Sequence, residues 1–478
     1  MRLTYAFNHA EAIRAFEEAA RIDPDCAICH WGVALAYGPN INWPMDSAAG
    51  AAAWTALQRA KELAPKANPR EQALIQALGT RYASPPPADR ASLDSAYARA
   101  MGELATRNPD DHEIATLHAE ALMDLRPWAY WKQDGSAEPG TEVILASLEK
   151  VIAADSTHPG ACHFYIHAVE AVAPAKAVAC AERLAALMPG AGHLVHMPAH
   201  IYVRVGRYAD AIERNEHATH ADSVFVATER PSLVYAGLYV PHNWHFLGFA
   251  ALMAGKETAA ANAAKQTVAK TPLAALQALP EYQPMAVFSH LILLKFGRFD
   301  EVLAQPMPDA GLAVARAVAS YARGTALAAT GKSPEAVALV DSVAAGSAGL
   351  ASPTAKSIVE IAHHSLLAEI AARRKRWSEA EKHYRAAIAI EDGLSYMEPP
   401  WWVEPVRHAL GAVLLSAGKA RLAEQAYRED LTRFPANVWS LVGLSASLKA
   451  QGKSDPAVES ERDKATVAAG ATIAASHY

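Results

Sequence analysis

One helix–turn–helix pattern returns along the chain, and it constrains the fold more than any other feature of the sequence. Its copies include "FNHAEAIRAFEEAARIDPD" from Phe7, "GRYADAIERNEHATHAD" from Gly206 and "KRWSEAEKHYRAAIAIED" from Lys375. In each copy, apolar and small residues recur at helical spacing, and a Gly, a Pro or an Asp-Pro pair breaks the helix. Strand signals are nearly absent. The pattern predicts an all-α fold of stacked helix pairs, because one pair cannot bury its apolar face alone.

These copies resemble the tetratricopeptide repeat, a helix pair of about 34 residues with Gly in its turn. The resemblance covers most of the chain and implies an α-solenoid, a right-handed superhelix of helix pairs with a concave side. We expect one continuous solenoid over residues 1–478, with N-terminal repeats in 1–110, central His-rich repeats in 111–260 and C-terminal repeats in 261–478. Three Trp-rich, Pro-containing loops interrupt it at Tyr37–Met45, Arg126–Gly135 and Ser395–Pro405.

Composition and charge argue against several classes of protein. The formal net charge of −6 gives no positive field for a phosphate backbone, so we expect no nucleic-acid partner. No run approaches the roughly 18 apolar residues of a membrane span. Four cysteines do not make a disulfide framework. The cytoplasm is the default location, but Met1 falls inside a predicted helix, so a longer precursor with an export segment stays open.

Histidines recur at matching places in three successive repeats. In the repeat family, positions 2, 5 and 9 of the first helix face the concave groove. The stretch "GHLVHMPAHIY" puts three histidines at positions 2, 5 and 9. The preceding repeat, "HFYIHAVEA", puts two histidines at 5 and 9 and an acidic residue at 12, and the following "HNWH" fills 2 and 5. The set comprises His163, His167, Glu170, His193, His196, His200, His242 and His245.

This register predicts a metal site in the groove, because a metal ion takes each imidazole in its neutral form. The set lacks cysteine, which argues against a closed zinc site of the finger type. Imidazole outnumbers carboxylate, which favours copper, with zinc or iron as alternatives. The set exceeds what one ion binds, so we expect two ions, or one ion with substrate-binding histidines. In a two-ion division, one ion takes His163, His167 and His200, and the other takes His193, His242 and His245, with His196 between.

Further residues are candidates for ligation or for the pocket wall. Glu120 falls at position 9 of the repeat before "HFYIH", and His408 is a candidate substrate contact several repeats away. The rings of the Trp-rich loops either fill gaps between repeats or wall the pocket. We expect at least two of them near the histidines. They are Trp43, Trp128, Trp131, Trp401 and Trp402.

The stretch "CAICH" from Cys26 has the spacing of covalent haem attachment. It starts the first helix of a repeat, however, and no export signal is visible, so we expect no haem c. Redox or zinc use of the two cysteines is a further alternative, and inert packing is favoured over all of these.

The chain is similar to a group of bacterial tetratricopeptide-repeat proteins. The sequence stretches that match this group include "YAFNHAEAIRAFEEAARIDPD", "HFYIHAVEA", "PGAGHLVHMPAHIYVRVGRYADAI" and "EPPWWVEPVR". The resemblance implies the fold and carries no activity. We favour a metalloenzyme, with copper or iron an oxidoreductase acting on a small molecule and with zinc a hydrolase. The alternative is a scaffold that binds a peptide or protein in its groove without catalysis. The sequence assigns no catalytic residue and no substrate.

Overall fold

The computed structural model of this chain describes residues 1–229, 231–470 and 473–478. Over these ranges the chain is built from helices and loops. No β-strand occurs in them, and isolated bridges pair Asn40 with Trp43 and Trp131 with Ala137. The predicted all-α class is confirmed. The chain divides into two compact units, one of Met1–Ile201 and His220–Ser232, the other of Tyr202–Thr219 and Leu233–Tyr478.

The first eleven helices belong to the first unit. Two short 3-10 helices, Ala64–Lys66 and Pro174–Ala177, lie between them. The helices are α1 Arg2–Tyr5, α2 His9–Ile22, α3 Ala27–Ala36, α4 Ser47–Leu63, α5 Pro69–Leu78, α6 Ala91–Arg107, α7 His112–Met123, α8 Thr141–Ala154, α9 Pro159–Val169, α10 Val178–Leu187 and α11 Gly192–His196.

Two further helices, α12 Pro198–Arg204 and α13 Tyr208–Thr228, contain residues of both units. The others belong to the second unit, together with the π-helix Tyr235–Tyr239 and the 3-10 helices Pro280–Val287 and Ala345–Ser347. They are α14 Val240–Met253, α15 Glu257–Lys270, α16 Leu273–Ala278, α17 Phe288–Lys295, α18 Phe299–Ala304, α19 Ala313–Ala329, α20 Ser333–Ala338, α21 Val340–Ala344, α22 Pro353–Arg373, α23 Trp377–Asp392, α24 Val406–Ser416, α25 Ala420–Arg433, α26 Val438–Ala450 and α27 Pro456–Ala469.

Within each unit, helices pack mainly on their neighbours in sequence. In the first unit these neighbours include α2 with α3, α3 with α4, α7 with α8 and α8 with α9; in the second they include α14 with α15, α22 with α23 and α24 with α25. Small buried residues such as Ala53, Ala263 and Ala423 lie on these helices and allow close approach. Helix pairs that bury their apolar faces against adjacent pairs make the tetratricopeptide-like α-solenoid that the repeats predict.

The predicted glycine turns join the helix pairs. Gly206 and Gly255 have φ of +78° and +72°, a region that residues with a Cβ rarely adopt. After Gly206, the amide of Arg207 donates to the carbonyl of Tyr202 at 2.8 Å, which closes the end of α12. The turn therefore lies where the repeat register places it.

Pro198 interrupts the histidine-bearing helix. Helix α11 ends at His196 and α12 begins at Pro198. Proline lacks an amide hydrogen and cannot continue the helical bonding. The amide of His200 instead donates to the carbonyl of Met197 at 3.2 Å. The histidines of "GHLVHMPAH" thus lie on two short helices.

None of the helices in the described part of the chain combines the length and the apolar character needed to cross a membrane.

Candidate metal centre

Three buried histidines of the first unit bring their ring nitrogens together. His163 and His167 lie one turn apart on α9, and His193 lies on α11. The Nε2 atom of His163 is 3.1 Å from that of His167 and 3.2 Å from that of His193. Their potential ligand atoms all lie within 4.8 Å of one another. We call these three residues the histidine cluster.

The main chain of α1 orients the first of these rings. Nδ1 of His163 lies 2.6 Å from the carbonyl oxygen of Tyr5, and helix α1 packs on α9. A carbonyl only accepts hydrogen bonds, so Nδ1 carries the proton and Nε2 presents its lone pair. His163 therefore turns an acceptor, not a donor, toward the other two rings.

Glu170 orients two more imidazoles. Its Oε1 accepts from Nδ1 of His167 at 3.2 Å, and its Oε2 accepts from Nδ1 of His200 at 2.6 Å. Burial would raise the pKa of this carboxyl, but His200 and His167 lower it to about 2, so the group is ionised. Both oxygens are engaged in holding rings, which leaves Nε2 of His167 and of His200 as lone pairs.

A second pair of histidines lies beside the cluster in the same unit. Nε2 of His196 is 2.9 Å from Nε2 of His200. The ring of His200 lies 5.7 Å from that of His167, and the ring of His196 lies 6.0 Å from that of His193. This grouping differs from the two-ion division predicted from the repeat register, because His193 joins His163 and His167.

Two aromatic residues in left-handed backbone conformations pack on the cluster. Phe7 has φ of +56° and Trp128 has φ of +64°. The Phe7 ring lies 4.7 Å from His163 and 5.4 Å from His193, and the Trp128 ring lies 4.9 Å from His167. Residues with large side chains rarely adopt this conformation, and such strain concentrates at functional sites.

Burial keeps two of the three rings of the cluster neutral. Burial holds the pKa of His163 well below its ordinary value and lowers the pKa of His167, despite the carboxylate of Glu170. Neutral imidazole is the form that binds metal ions. Two metal–nitrogen bonds of about 2.0–2.1 Å at a tetrahedral angle separate their nitrogens by about 3.3 Å. The Nε2 separations around His163 therefore fit ligation of one ion.

The two histidines predicted from "HNWH" lie in the second unit, on α14. The ring of His242 meets Phe246 edge-on at 5.7 Å, and that of His245 meets Phe288 at 4.6 Å. Burial lowers the pKa of His245 to about 3. Their participation in a metal site stays a prediction.

Glu120 and His408 occupy other buried polar clusters. Burial, reinforced by Asp124, raises the pKa of Glu120 to about 8. His408, in the second unit, lies between Lys295 Nζ at 3.1 Å and Asp430 Oδ2 at 3.0 Å. Each ring nitrogen of His408 thus has a charged protein neighbour.

The five tryptophans of the loops have different surroundings. Trp128 contacts the cluster directly. Trp131 packs on α9, the helix that carries His163 and His167, and its Nε1 donates to the carbonyl of Ala168 at 2.7 Å. Trp43 is half exposed. In the second unit, Trp401 and Trp402 pack on the rings of Tyr282 and Tyr321, each at 5.3 Å.

The structure changes the interpretation of "CAICH". Cys26 and Cys29 form a disulfide at the start of α3, rather than packing as inert thiols. In this state neither sulfur is a thiolate that could bind zinc or bond to haem. Cys162 and Cys180 are free and buried.

Sequence reasoning missed two residues around the cluster. Neither the carbonyl of Tyr5 nor the ring of Phe7 was predicted to meet α9, which lies more than 150 positions further along the chain. Helical periodicity reports only neighbours on one helix, so it gives no signal for this contact. The stretch "YAFNH" contributed to the family resemblance, but it indicated no role for these two residues.

Neither a comparison with protein-family models nor one with curated proteins gives a match. Solved structures give weak likenesses. Yeast Tom70 is 12% identical, with a TM-score of 0.33 over 97% of this chain and 90% of that chain. Human IFIT1, in a dimer with m7Gppp-AAAA, is 13% identical, with a TM-score of 0.35 over 89% and 87%. Cut9 with Hcn1 of APC/C is 12% identical, with a TM-score of 0.28 over 96% and 93%. Likeness at this level does not indicate what the present chain binds.

Proposed function

We propose that this chain is a metal-binding protein whose histidine cluster holds a transition metal ion through the Nε2 atoms of His163, His167 and His193. One observation carries the proposal. Three imidazoles converge through their Nε2 atoms, while Tyr5 and Glu170 fix the Nδ1 protons of His163 and His167 on the outer side. Carboxylates and backbone carbonyls orient metal-bound histidines in the same way.

The donor set favours copper, with zinc or iron as alternatives. It offers imidazole nitrogens without thiolates, and a cation near converging lone pairs removes their mutual repulsion. Bound copper or iron would supply redox chemistry with oxygen, whereas bound zinc would activate water. The rings of Phe7 and Trp128 pack on the cluster, whose three histidines are buried. We therefore favour an oxidoreductase acting on a small molecule, with a hydrolase second.

The number of ions depends on the second pair. His196 and His200 present two more nitrogens beside the cluster, and Glu170 holds His200 as it holds His167. They serve either a second ion or the substrate. A ratio of two ions per chain favours the first role, and a ratio of one favours the second.

Elemental analysis of the protein, purified without a histidine tag, tests the proposal. We expect bound metal in the native protein and its loss in His163→Ala and His167→Ala. His217→Ala removes an exposed histidine and should retain the full metal content. Copper(II) would also give an electron paramagnetic resonance signal.

Equal metal content in the native protein and in both cluster variants would overturn the proposal, as would the absence of metal after purification and after incubation with Cu, Zn or Fe salts. The scaffold function, in which the groove binds a peptide or protein without catalysis, would then be preferred.

A further inference from the structure

The second unit contains a groove that its own chain occupies. The segment Ile473–Tyr478 runs without helical structure along α22, α24 and α26, and Ser476 and His477 are buried there. A cavity of about 300 Å³ remains beside the segment, between it and these helices. The segment therefore lies in a depression that it does not fill.

Main-chain and hydroxyl groups of the segment have specific partners. Nζ of Lys295 donates to the carbonyl of Ser476 at 2.9 Å, and the guanidinium of Arg373 donates to the carbonyl of Tyr478 at 2.8 Å. The hydroxyl of Ser476 donates to the carbonyl of His408 at 3.0 Å and lies 2.6 Å from the hydroxyl of Tyr427. These bonds fix the non-helical backbone of the segment and one small polar side chain.

Tyr427 reaches the segment between two glycines. A Cβ on Gly411 would lie 2.3 Å from the Tyr427 ring, and a Cβ on Gly443 would lie 2.2 Å from it. No real side chain tolerates such contacts, so both helices require glycine at these positions. The two glycines leave the ring a narrow passage toward Ser476.

His477 is the charged anchor of the segment. Its Nε2 lies 3.1 Å from Oε2 of Glu369, and its Nδ1 lies 3.7 Å from Oε1 of Glu404. The ring of Tyr478 follows, 5.3 Å from Phe299. The groove thus receives, in order, a small hydroxyl residue, a cation between two carboxylates and an aromatic ring.

The charges of the groove call for a cation at this position. Besides Glu369 and Glu404, it contains the carboxylate of Asp430, and the facing cations are Lys295 and Arg373. Of these carboxylates, Glu369 and Glu404 lie within 4 Å of the His477 ring, and an imidazolium there compensates part of their charge. A peptide without that cation would leave a buried carboxylate uncompensated.

We propose that this groove is a peptide-binding site, that Ile473–Tyr478 is its exchangeable occupant in the chain itself, and that it accepts an extended segment of another polypeptide with the same Ser-His-Tyr chemistry. This site is separate from the histidine cluster and needs no metal. The chain's own segment competes with the incoming one, so binding of the second polypeptide requires release of the first.

Acidity controls the exchange through His477. Burial opposes its charge, but Glu369 and Glu404 raise its pKa above the ordinary value. Other titratable or charged groups around it are Arg373 on α22, Tyr384 on α23, Lys295 on α17, Tyr321 on α19, His408 on α24 and Tyr478 beside it. The segment is held most firmly below about pH 6.5, the value for a free histidine, and is released as pH rises through the raised pKa.

A fluorescent synthetic peptide of sequence IAASHY, amidated at its end, tests the proposal. It should bind a chain in which His477 and Tyr478 are both replaced by Ala about ten- to a hundredfold more tightly than it binds the native chain, because charge-assisted hydrogen bonds differ by that amount. The control peptide IAASAY should bind the same variant more weakly by a similar factor. Circular dichroism and melting temperature check that the variant is folded.

A second measurement uses the native chain and does not depend on the variant. Excess amidated peptide should displace the segment and speed amide hydrogen exchange in residues 473–478, whereas IAASAY should not. Equal binding of both peptides, or no binding to a folded variant together with no effect on hydrogen exchange, would overturn the proposal. Chelation should alter neither result, so failure here and failure of the metal proposal are distinguishable.

Discussion

The histidine cluster of the first unit and the occupied groove of the second bury polar groups in opposite ways. In the groove, two buried carboxylates face cations of the protein: Glu404 faces Lys295 and Glu369 faces Arg373. In the cluster, the Nε2 lone pairs of His163 and His167 face each other beside Nε2 of His193, and the nearest carboxylate is used to hold rings. Buried charges need compensation, which protein cations supply to Glu369 and Glu404 in the groove, whereas the Nε2 separations of the cluster fit a metal ion.

The largest loss of stability is expected when a cation that compensates a buried carboxylate of the groove is removed. Lys295→Met leaves Glu404 and the carbonyl of Ser476 without their cation. Since removing one member of a buried ion pair strands the other, the free energy of unfolding should fall by about 3–5 kcal/mol. Urea denaturation measures it. Lys332→Met changes an exposed lysine of the same unit and should have little effect; equal losses in both variants would mean that the groove's charges do not stabilise the fold.

Metal removal should have nearly as large an effect on the first unit. A ligand present at about a thousandfold excess over its Kd stabilises the folded state by about 4 kcal/mol. Chelation of the native protein should therefore lower the melting temperature, and His163→Ala or His167→Ala should lower both melting temperature and metal content; His196→Ala or His200→Ala should do the same where the second pair holds an ion. His217→Ala should change neither. Identical melting of chelated and untreated protein would contradict the metal site and remove the contrast with the groove.

A smaller effect separates ligands from the residue that orients them. Glu170→Gln replaces two acceptor oxygens by one acceptor and one donor, so the amide cannot accept from both His167 and His200. Metal affinity should fall by about 10–100-fold, while excess metal still fills the site. Competition with a chelator measures the affinity, and Glu142→Gln on α8 is an exposed control. Loss of all binding even at excess metal would instead make Glu170 a ligand, as the sequence register predicts.

The smallest effect is the pH dependence of the groove. The pKa of His477 is higher in the folded state, so its contribution to stability is fully present below about pH 6.5 and is lost as pH rises through the folded value. The difference in unfolding free energy between the native chain and His477→Gln should shrink between acid and alkaline pH. A difference that stays constant over this range would show that the imidazole is bound in its neutral form.

Repeat register predicted much of what local sequence can determine. The turns at Gly206 and Gly255 and the break at Pro198 follow from backbone chemistry within a few residues, and the structure has them. The same register put His163 and His167 on one face of a helix. Spacing on an α-helix fixes such faces, so these features are accessible from the sequence alone.

Contacts between segments that are far apart in the chain could not be predicted from the sequence. The pairing of Tyr5 with His163 depends on α1 packing on α9, and the position of His477 between Glu369 and Glu404 depends on residues 473–478 packing beside α22. Periodicity carries no information about such contacts. The orienting role of Glu170 could not be predicted either. Its place at position 12 of the repeat helix indicates which face the carboxylate lies on, but not that its two oxygens accept hydrogen bonds from His167 and His200.

The passage of Tyr427 between Gly411 and Gly443 has a consequence for how related chains can vary. A methyl group at either glycine would occupy the space of the ring, and a smaller residue at 427 would remove the hydroxyl that meets Ser476. A change at any one of these four positions alone would therefore remove either the space for the Tyr427 ring or its contact with Ser476. In descendants of this chain, the two glycines, the tyrosine and the serine should therefore be inherited together or replaced together.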